Sequence, residues 1–598
     1  MTPAIFVLGP SALALARRLR RGLPGAEIHG PAGLDGVDLG YARAATHLRK
    51  LFRSGRPILG LCASGILLRA LAPLLRDKIE EPPVVAMAED GSVAVPLLGG
   101  HRGANALARE AAGIAGGTAA ITTASELGLG IALDAPPPGW RVANPARAKP
   151  LMAKLLAGKR VTAGIDSGNA EWLTRHPRIS TVESGAADIR VTDRVAGPRE
   201  RALVLHPPVL ALGVGASRGC PPEELARLAR RTLAAAGLAA AAVGAVVSID
   251  LKMDEPAVTA LADRLCAPAR FFSAAELLRE TPRLANPSGA TFRATGCWGV
   301  AEGAALAAVG KRGELAVTKR KSRHATCAIA RAPVPLDPQR LGHARGSLAI
   351  LGIGPGDPGS RTPEVSAALA AATDVVGYGL YLDLLGPALA GKRRHARALG
   401  AETARAHLAL DLAAKGRSVA LVSSGDAGIY GLASLVFELL DREGRSDWQR
   451  VALSILPGVS AMQMAAARAG APLGHDFAAI SLSDLLTPWP AIERRLEAAA
   501  RGDFVLALYN PRSARRKRQF QRARQILLRH RAAETPVVIA RNLGRTGERV
   551  RLTSLGNLDP RAVDMLTLVL IGSSTTRYLP GERAWVYTPR GYARKVGR

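Results

Sequence analysis

Short apolar runs closed by turn residues recur along this chain, and each is followed by a stretch with helical spacing. The clearest is Val419–Val422, flanked by Lys415-Gly-Arg-Ser and followed by Ser423-Ser-Gly-Asp-Ala-Gly-Ile-Tyr-Gly431. A run of that length between turn residues predicts a buried strand. Leu432, Leu435, Val436, Leu439 and Leu440 then follow at helical intervals, so the glycine-rich segment is predicted as a strand-to-helix turn. The same pattern returns four times. Leu348–Ile353 runs into Gly354-Pro-Gly-Asp-Pro-Gly359, and Val451–Ile455 into Leu456-Pro-Gly-Val-Ser-Ala461. Phe504–Leu508 runs into Tyr509-Asn-Pro511, and Leu566–Leu570 into Ile571-Gly-Ser-Ser574. Strands alternating with helices predict an α/β fold. Ligands of open α/β sheets collect beyond the carboxyl ends of strands, so these small-residue ends predict one site built from several loops.

The first half carries the same alternation. Apolar runs at Ile5–Leu8, Ile58–Leu61, Val84–Ala88 and Val93–Leu97 define a first α/β segment, 1–144, with the linker signal Pro136-Pro-Pro-Gly139 near its end. A small middle segment, 145–200, has a basic helix pattern through Met152, Leu155 and Leu156 and strands at Val161–Ile165 and Asp188–Val191. A third segment, 201–332, has strands at Leu210–Gly215 and Val243–Ile249 and a helix start at Cys220-Pro-Pro-Glu-Glu. Glu314–Thr318 and Thr326–Ile329 are predicted as its antiparallel edge pair. A linker, 333–346, opens with Pro333-Val-Pro-Leu-Asp-Pro338, and the final domain is 347–598. The longest apolar run, Leu233–Val247, is mostly Ala and Gly, too short and weakly hydrophobic for a membrane span. It is predicted as a helix end, a turn and a strand. The apolar stretch Ala4–Leu8 is broken by Gly9-Pro10 and has its arginines after it, which does not read as a secretion signal.

From Ser347 to about Arg577, the order GIGPGDP, DVVGYGLYLD, SSGDAGIYG, PGVSAMQ and LYNPRS resembles the tetrapyrrole (corrin/porphyrin) methyltransferase family, most of all its precorrin-3B C17-methyltransferases. The resemblance implies two α/β subdomains around a cleft, S-adenosylmethionine (SAM) as methyl donor, a homodimer and a cytoplasmic enzyme. Gly425, Asp426, Ala427, Gly428 and Tyr430 match the family's central cofactor-contact motif, Ser460 and Ala461 a second, and Tyr509, Asn510 and Pro511 a third. Pro355, Gly356 and Asp357 match the amino-terminal loop that borders the tetrapyrrole, with Pro355 also expected at the cofactor. Methyl transfer from a sulfonium needs alignment and exclusion of water more than a triad, which suits a site of Gly, Ser, Ala and Asp. In this subfamily methylation is coupled to ring contraction and lactone formation, which calls for an acid or base. Asp357 is the first choice, with a structural turn aspartate as the alternative.

In the first half, Gly60-Leu-Cys-Ala-Ser-Gly65, Ala88-Glu-Asp-Gly91 and Gly99-Gly-His-Arg-Gly-Ala-Asn105 resemble the cobalamin-biosynthesis family that hydrolyses cobalt-precorrin-5A, opening a δ-lactone and releasing acetaldehyde. The likeness covers about Pro3 to Arg331, and its last part also resembles a small stand-alone protein of the aerobic pathway. Lactone opening needs an activated water or nucleophile, a base, and donors for the oxyanion. His101, with Asn105 in the same polar, glycine-rich loop, is the expected base. Glu89, paired with Asp90, is a candidate general acid or base, with a cap or solvated turn as the alternative. Cys62 fails the nucleophile-elbow pattern because Ser64 stands where glycine is required, and it reads as a small buried apolar residue. Lys319, Lys321 and Arg323 are read as a solvated strand edge, with substrate carboxylates as the other option. The whole is thus expected to be a multidomain α/β protein: α/β hydrolase-like domains followed by a tetrapyrrole methylase fold.

Composition changes this picture little. At 598 residues the chain holds three or four domains of about 150 residues each. With 48% apolar and 22% charged residues it is globular. Lys and Arg outnumber Asp and Glu by 80 − 49 = 31. That charge keeps a nucleic-acid-binding protein as the rival from another class. Aromatic residues are only 4%, however, so stacking platforms are scarce, and a basic cleft suits a polycarboxylate precorrin equally well. The rival within the enzymes is methylation at another corrin position, C11 or C2, with an amino-terminal half that only handles substrate. The five cysteines are scattered without Cys-x-x-Cys, which argues for a reducing compartment and against a zinc site. No protein-bound metal is expected, and cobalt would enter only within the substrate. Both precorrin-3B and cobalt-factor III stay open as acceptor. Two chance motifs fall away. Pro355 and Pro358 remove donors that a dinucleotide would need from Gly354–Gly359, and Arg393 stands where a P-loop needs Ser or Thr. Arg512–Arg531 is read as the solvated face of a helix in preference to an RNA patch.

Overall fold

The computed structural model describes residues 3–23, 25–76, 81–122, 131–183, 185–197, 200–513 and 516–592, all with their side chains except His101. The chain forms two units: 1–345 with 414–416 and 450–452, and 346–413 with 417–449 and 453–598.

The first unit holds three sheets. The seven-stranded sheet runs, side by side, Leu39–Tyr41, Glu27–Pro31, Ala4–Val7, Ile58–Leu61, Val84–Met87, Val93–Leu98 and Thr118–Ala119. Its first five strands are parallel, and Val93–Leu98 returns antiparallel to Val84–Met87. Ala4–Val7 and Ile58–Leu61 are buried on both faces, which is why they read as unbroken apolar runs. The second sheet pairs Ile179–Val182, Val161–Ile165, Ile189–Val191, Leu203–His206 and Arg141–Val142, so it draws in a strand on either side of 145–200. The third runs Ala269–Phe272, Val243–Ile249, Leu210–Ala216, Ala325–Arg331 and Glu314–Lys321, and its last two strands form the antiparallel edge pair. The apolar run from Leu233 divides as its glycines imply, with a helix ending at Ala235 and a strand from Val243.

In the second unit, a five-stranded sheet runs Arg393–Arg397, Asp374–Tyr378, Ser418–Ser423, Ser347–Gly352 and Ala452–Leu456. A second runs Phe477–Ser481, Val505–Tyr509, Thr567–Ile571, Pro536–Arg541 and Arg549–Ser554, and a three-stranded sheet joins Gly470–Ala471, Trp585–Tyr587 and Arg577–Leu579. The basic stretch after Arg512 forms the helix Gln519–Leu528, which buries Phe520, Ala523, Ile526 and Leu527. Arg522 pairs with Glu493 and Arg529 with Glu497 on the exposed side, but the solvated reading fails at both ends of the stretch: Arg516 and Arg531 are buried, and they donate to the Asn510 carbonyl and to the Phe504 and Gly572 carbonyls respectively.

One strand end departs from the expected site. Thr567–Ile571 lies antiparallel to Val505–Tyr509, with Ile571 opposite Leu506 at the start of its neighbour. Gly572–Ser574 therefore sits at the edge away from Tyr509 and Asn510, where Ser574 bonds to Asp503.

Asp374 fixes one end of the first sheet of this unit. Its buried carboxylate accepts from Arg393, His395, Arg417 and the Thr373 hydroxyl. Burial alone would raise its pKa; the bonds from His395, Arg393 and Thr373 and the Arg417 charge outweigh burial and hold it at about 2, against an ordinary 3.8. The stabilisation is thus fully present above 3.8 and is lost as pH falls toward 2. Asp374→Asn is expected to cost roughly 2 kcal/mol near neutral pH. In denaturant melts the gap between wild type and variant should close across that acid window; a gap that is flat with pH would remove the ion cluster from the account.

Candidate functional site

The second unit gathers its loops at a reversal of chain direction. The chain leaving Gly352 goes on to Asp374–Tyr378 on one side of the sheet, whereas the chain leaving Ser423 goes on to Ala452–Leu456 on the other. Two adjacent parallel strands whose connections part this way open a crevice at their carboxyl ends. The loops there meet backbone to backbone. A β-carbon on Gly352 would lie 2.6 Å from the Gly458 nitrogen and 2.7 Å from the Gly425 oxygen, and one on Gly458 would lie 2.3 Å from both the Gly352 and Gly425 oxygens. Gly354 and Gly425 exchange N–H···O bonds of 3.1 and 2.8 Å, and Gly425 sits at φ +68°, in the region that favours glycine.

Asp426 closes this junction. Its Oδ1 accepts from the Gly428 N–H at 2.8 Å and its Oδ2 from the Gly458 N–H at 3.1 Å. This carboxylate, expected at the cofactor, is thus first a brace between two loops. Ala427 is buried beneath it. Ser460 caps the helix Ala461–Ala469 reciprocally with Gln463, so the Pro-Gly-Val-Ser loop is fixed by its own helix.

The second sheet supplies the opposite wall. Phe477–Ser481, Val505–Tyr509 and Pro536–Arg541 end at one edge, because the strand between the last two runs antiparallel to both. Tyr430, at φ +52° and 55% exposed, donates its hydroxyl to the Ala479 carbonyl and accepts from the Ser481 N–H. Its ring lies 5.1 Å from that of Tyr509, whose hydroxyl accepts from the Met462 N–H. Burial pushes both phenols up, so both stay protonated. Asn510, also left-handed at φ +50°, donates to Ser481, and Pro511 is buried beside it. Gly425, Asp426, Ala427, Gly428, Tyr430, Ser460, Ala461, Tyr509, Asn510 and Pro511 thus belong to one cluster of loops.

The Gly354–Gly359 loop borders the same crevice. Asp357 accepts from the Gly359 N–H at 2.9 Å and caps the short turn Pro358–Ser360. The Pro355 carbonyl accepts from Arg545 Nε at 2.8 Å. Arg545 was not among the expected residues. Its signal was present all the same: the apolar run Pro536–Ala540 passes through Arg541 into Asn542-Leu-Gly-Arg-Thr-Gly547, the same pattern of strand and glycine turn.

In the first unit the expected residues separate. Ala4–Val7 and Ile58–Leu61 are neighbours whose connections part in opposite directions, so this sheet too opens a crevice at its carboxyl edge. Glu89 follows Met87 there and accepts from Ser11 Oγ at 2.6 Å. Asp90 instead accepts from the Ser92 N–H and hydroxyl, a local turn whose bonds lower its pKa. Cys62 is buried, and burial followed by the Glu89 charge pushes its thiol up to about 11, which makes it a poor nucleophile. The His101 turn lies at the opposite, amino edge, since Leu98 pairs with Val84 and Gly99 presses on Pro82 and Pro83. The side chain of His101 lies outside the described residues. Asn105 is buried in the helix Ala104–Ala115 rather than in an open loop. A cavity of about 470 Å³, lined by Pro3, Pro57, Pro83, Arg102 and Leu107 among others, also sits at that amino edge. Glu89 and His101 are therefore not brought together. In the third segment Lys319 is tied to Glu302 and Asn286, while Lys321 and Arg323 are exposed.

Residues 347–559 match the family described as Tetrapyrrole (Corrin/Porphyrin) Methylases, 210–330 match Cobalamin synthesis G C-terminus, and 46–126 match Cobalamin synthesis G N-terminal. The Precorrin-3B C(17)-methyltransferase of Sinorhizobium sp is 46% identical over 250 residues, 42% of this chain and 98% of that protein. The Probable cobalt-factor III C(17)-methyltransferase of Salmonella typhimurium is 44% identical over 245 residues, 41% of this chain and 99% of that protein. The Cobalamin biosynthesis protein CobIJ of Mycobacterium tuberculosis is 46% identical over 252 residues, 41% of this chain, and the match spans about half of that relative, 48%. Among the described residues no helix is long and apolar enough to cross a membrane.

Proposed function

The chain belongs to the tetrapyrrole (corrin/porphyrin) methylases through its carboxyl-terminal part, and on that premise we propose that it is a bifunctional corrin-ring enzyme. The carboxyl-terminal half methylates C17 of precorrin-3B or cobalt-factor III and contracts the ring, working as a homodimer. The amino-terminal half opens the lactone formed in that contraction. The observation that carries the first activity is the likeness to relatives named for C17 methylation over 98% and 99% of their length.

SAM, when bound, supplies an electrophilic methyl group on sulfur. The backbone junction of Gly352, Gly425 and Gly458 suits such a ligand, because no β-carbon intrudes on the loops around it. Gly425 to Gly428, Tyr430, Ser460, Ala461 and Tyr509 to Pro511, with Pro355 across from them, are the residues that would hold it. Their work is to orient donor and acceptor and to keep water out. Asp357 retains one carboxylate oxygen beyond its bond to Gly359, and we assign it the proton transfer that ring contraction requires.

For the amino-terminal half, the Ser11–Glu89 pair at the carboxyl edge favours Glu89 as general base. Glu89→Gln is expected to lower acetaldehyde release at least a hundredfold, whereas His101→Ala, at the other edge, should leave it within about twofold. The reverse pattern would move the reaction to the amino edge.

The deciding experiment incubates pure protein with SAM and either precorrin-3B or cobalt-factor III, read by mass spectrometry. A gain of one methyl group on one of them establishes the activity and identifies the acceptor. No gain on either, with SAM bound, would point to another corrin position.

A further inference from the structure

We propose that the Arg545 guanidinium is an anion seat in the crevice of the second unit, built to receive a carboxylate of a bound ligand. The inference rests on the methyltransferase reading. Arg545 stands on the turn after Pro536–Arg541 and reaches three elements at the carboxyl edge of the other sheet. Nε donates to the Pro355 carbonyl at 2.8 Å, Nη2 donates to Ser424 Oγ at 3.2 Å, and the guanidinium carbon lies 5.9 Å from the centre of the Tyr381 ring. The turn itself is pressed into place: Gly544 is left-handed at φ +67°, and a β-carbon there would lie 2.9 Å from the Asp357 nitrogen.

This cation is half-buried, and burial pushes its pKa down. The ionisable group beside it is the Tyr381 phenol, which burial pushes up and keeps uncharged, and among the described residues the guanidinium pairs with no carboxylate. The nearest acid along the chain, Glu548, is already committed to the Gly544 N–H and to Arg468. A desolvated cation without a counter-ion is costly, and such a group in a cleft marks an anionic ligand. The two contacts engage Nε–H and one Nη2–H, so among the described residues three of the five guanidinium donors make no hydrogen bond. Those donors include both hydrogens of Nη1, in the fork geometry that takes a carboxylate.

A carboxylate reaches this site from either of two sources: the acceptor, whose acetate and propionate arms surround the macrocycle, or the amino-acid end of the methyl donor. The test uses two stable probes on the full chain. Uroporphyrin III, a tetrapyrrole octacarboxylate, is titrated by absorbance, and S-adenosylhomocysteine by calorimetry. Arg545→Gln is expected to weaken one of them about 10- to 100-fold and leave the other within about twofold. The affected probe identifies the source. The loss should shrink as salt is raised, which the loss of a purely structural clamp would not do. Arg545→Lys should recover part of the affinity, and Ser424→Ala, which removes a clamp contact but keeps the cation, should bind both probes nearly as wild type. Unchanged binding of both probes by Arg545→Gln overturns the proposal, as does a salt-independent loss or an equal loss in Ser424→Ala. Methyl transfer is not needed for the readout, so failure of the methyltransferase reading shows separately, as an inactive wild type.

Discussion

Asp426→Ala is expected to lose about a hundredfold in affinity for SAM and to abolish measurable methyl transfer. The carboxylate holds two loops by charge-assisted bonds to the Gly428 and Gly458 N–H groups. Each such bond contributes about 1.5 kcal/mol or more, and both N–H groups would be stranded together, so about 3 kcal/mol is lost from the arrangement of the site. Asp426→Asn tests the geometry. The amide keeps one acceptor oxygen but turns an NH₂ toward the other N–H, so it should fall near the alanine variant and far from wild type. Calorimetry with SAM gives the affinity, and a melt shows whether the unit is still folded. An alanine variant that binds SAM as wild type would mean the loops hold their positions without the brace.

Asp357→Asn is expected to separate the two chemical events. Its turn-capping bond to Gly359 survives in the amide, because the side-chain oxygen still accepts, so SAM affinity and stability should stay close to wild type. An amide carries no exchangeable acid or base near neutral pH, however, and removal of a positioned acid or base costs about 10²- to 10⁴-fold. Product mass and absorbance should show the contracted, lactonised product falling by that factor. Contraction at the wild-type rate would leave Asp357 as a turn residue only.

These variants also show what the sequence made legible. Runs such as Val419–Val422 and Ile58–Leu61 announced their strands because both faces are buried and every position is apolar. Strands with mixed faces were silent: Arg393–Arg397 has four exposed positions, and Phe477–Ser481 has only one buried position of five. Strand direction was silent too. Ile571-Gly-Ser-Ser574 matched the pattern of the other strand ends, but an antiparallel strand delivers its carboxyl end to the wrong edge. The same blindness grouped His101 with Glu89, which the return of Val93–Leu98 against Val84–Met87 sends to opposite edges. Arg545 escaped notice for another reason. Its loop carries the pattern, but that no acid among the described residues pairs with its charge emerges only when neighbours from other loops are in place.

The displaced edge at Gly572–Ser574 has a practical use. Thr567–Ile571 spans five residues, so its far end stands about 17 Å from the loops that form the crevice. Ser574 and Thr575 are exposed there. A fluorophore or surface tether attached at that turn rides on the same rigid sheet as Tyr509 without entering the ligand's path. Single-molecule recordings of ligand binding and immobilised assays of turnover are therefore best anchored at this edge.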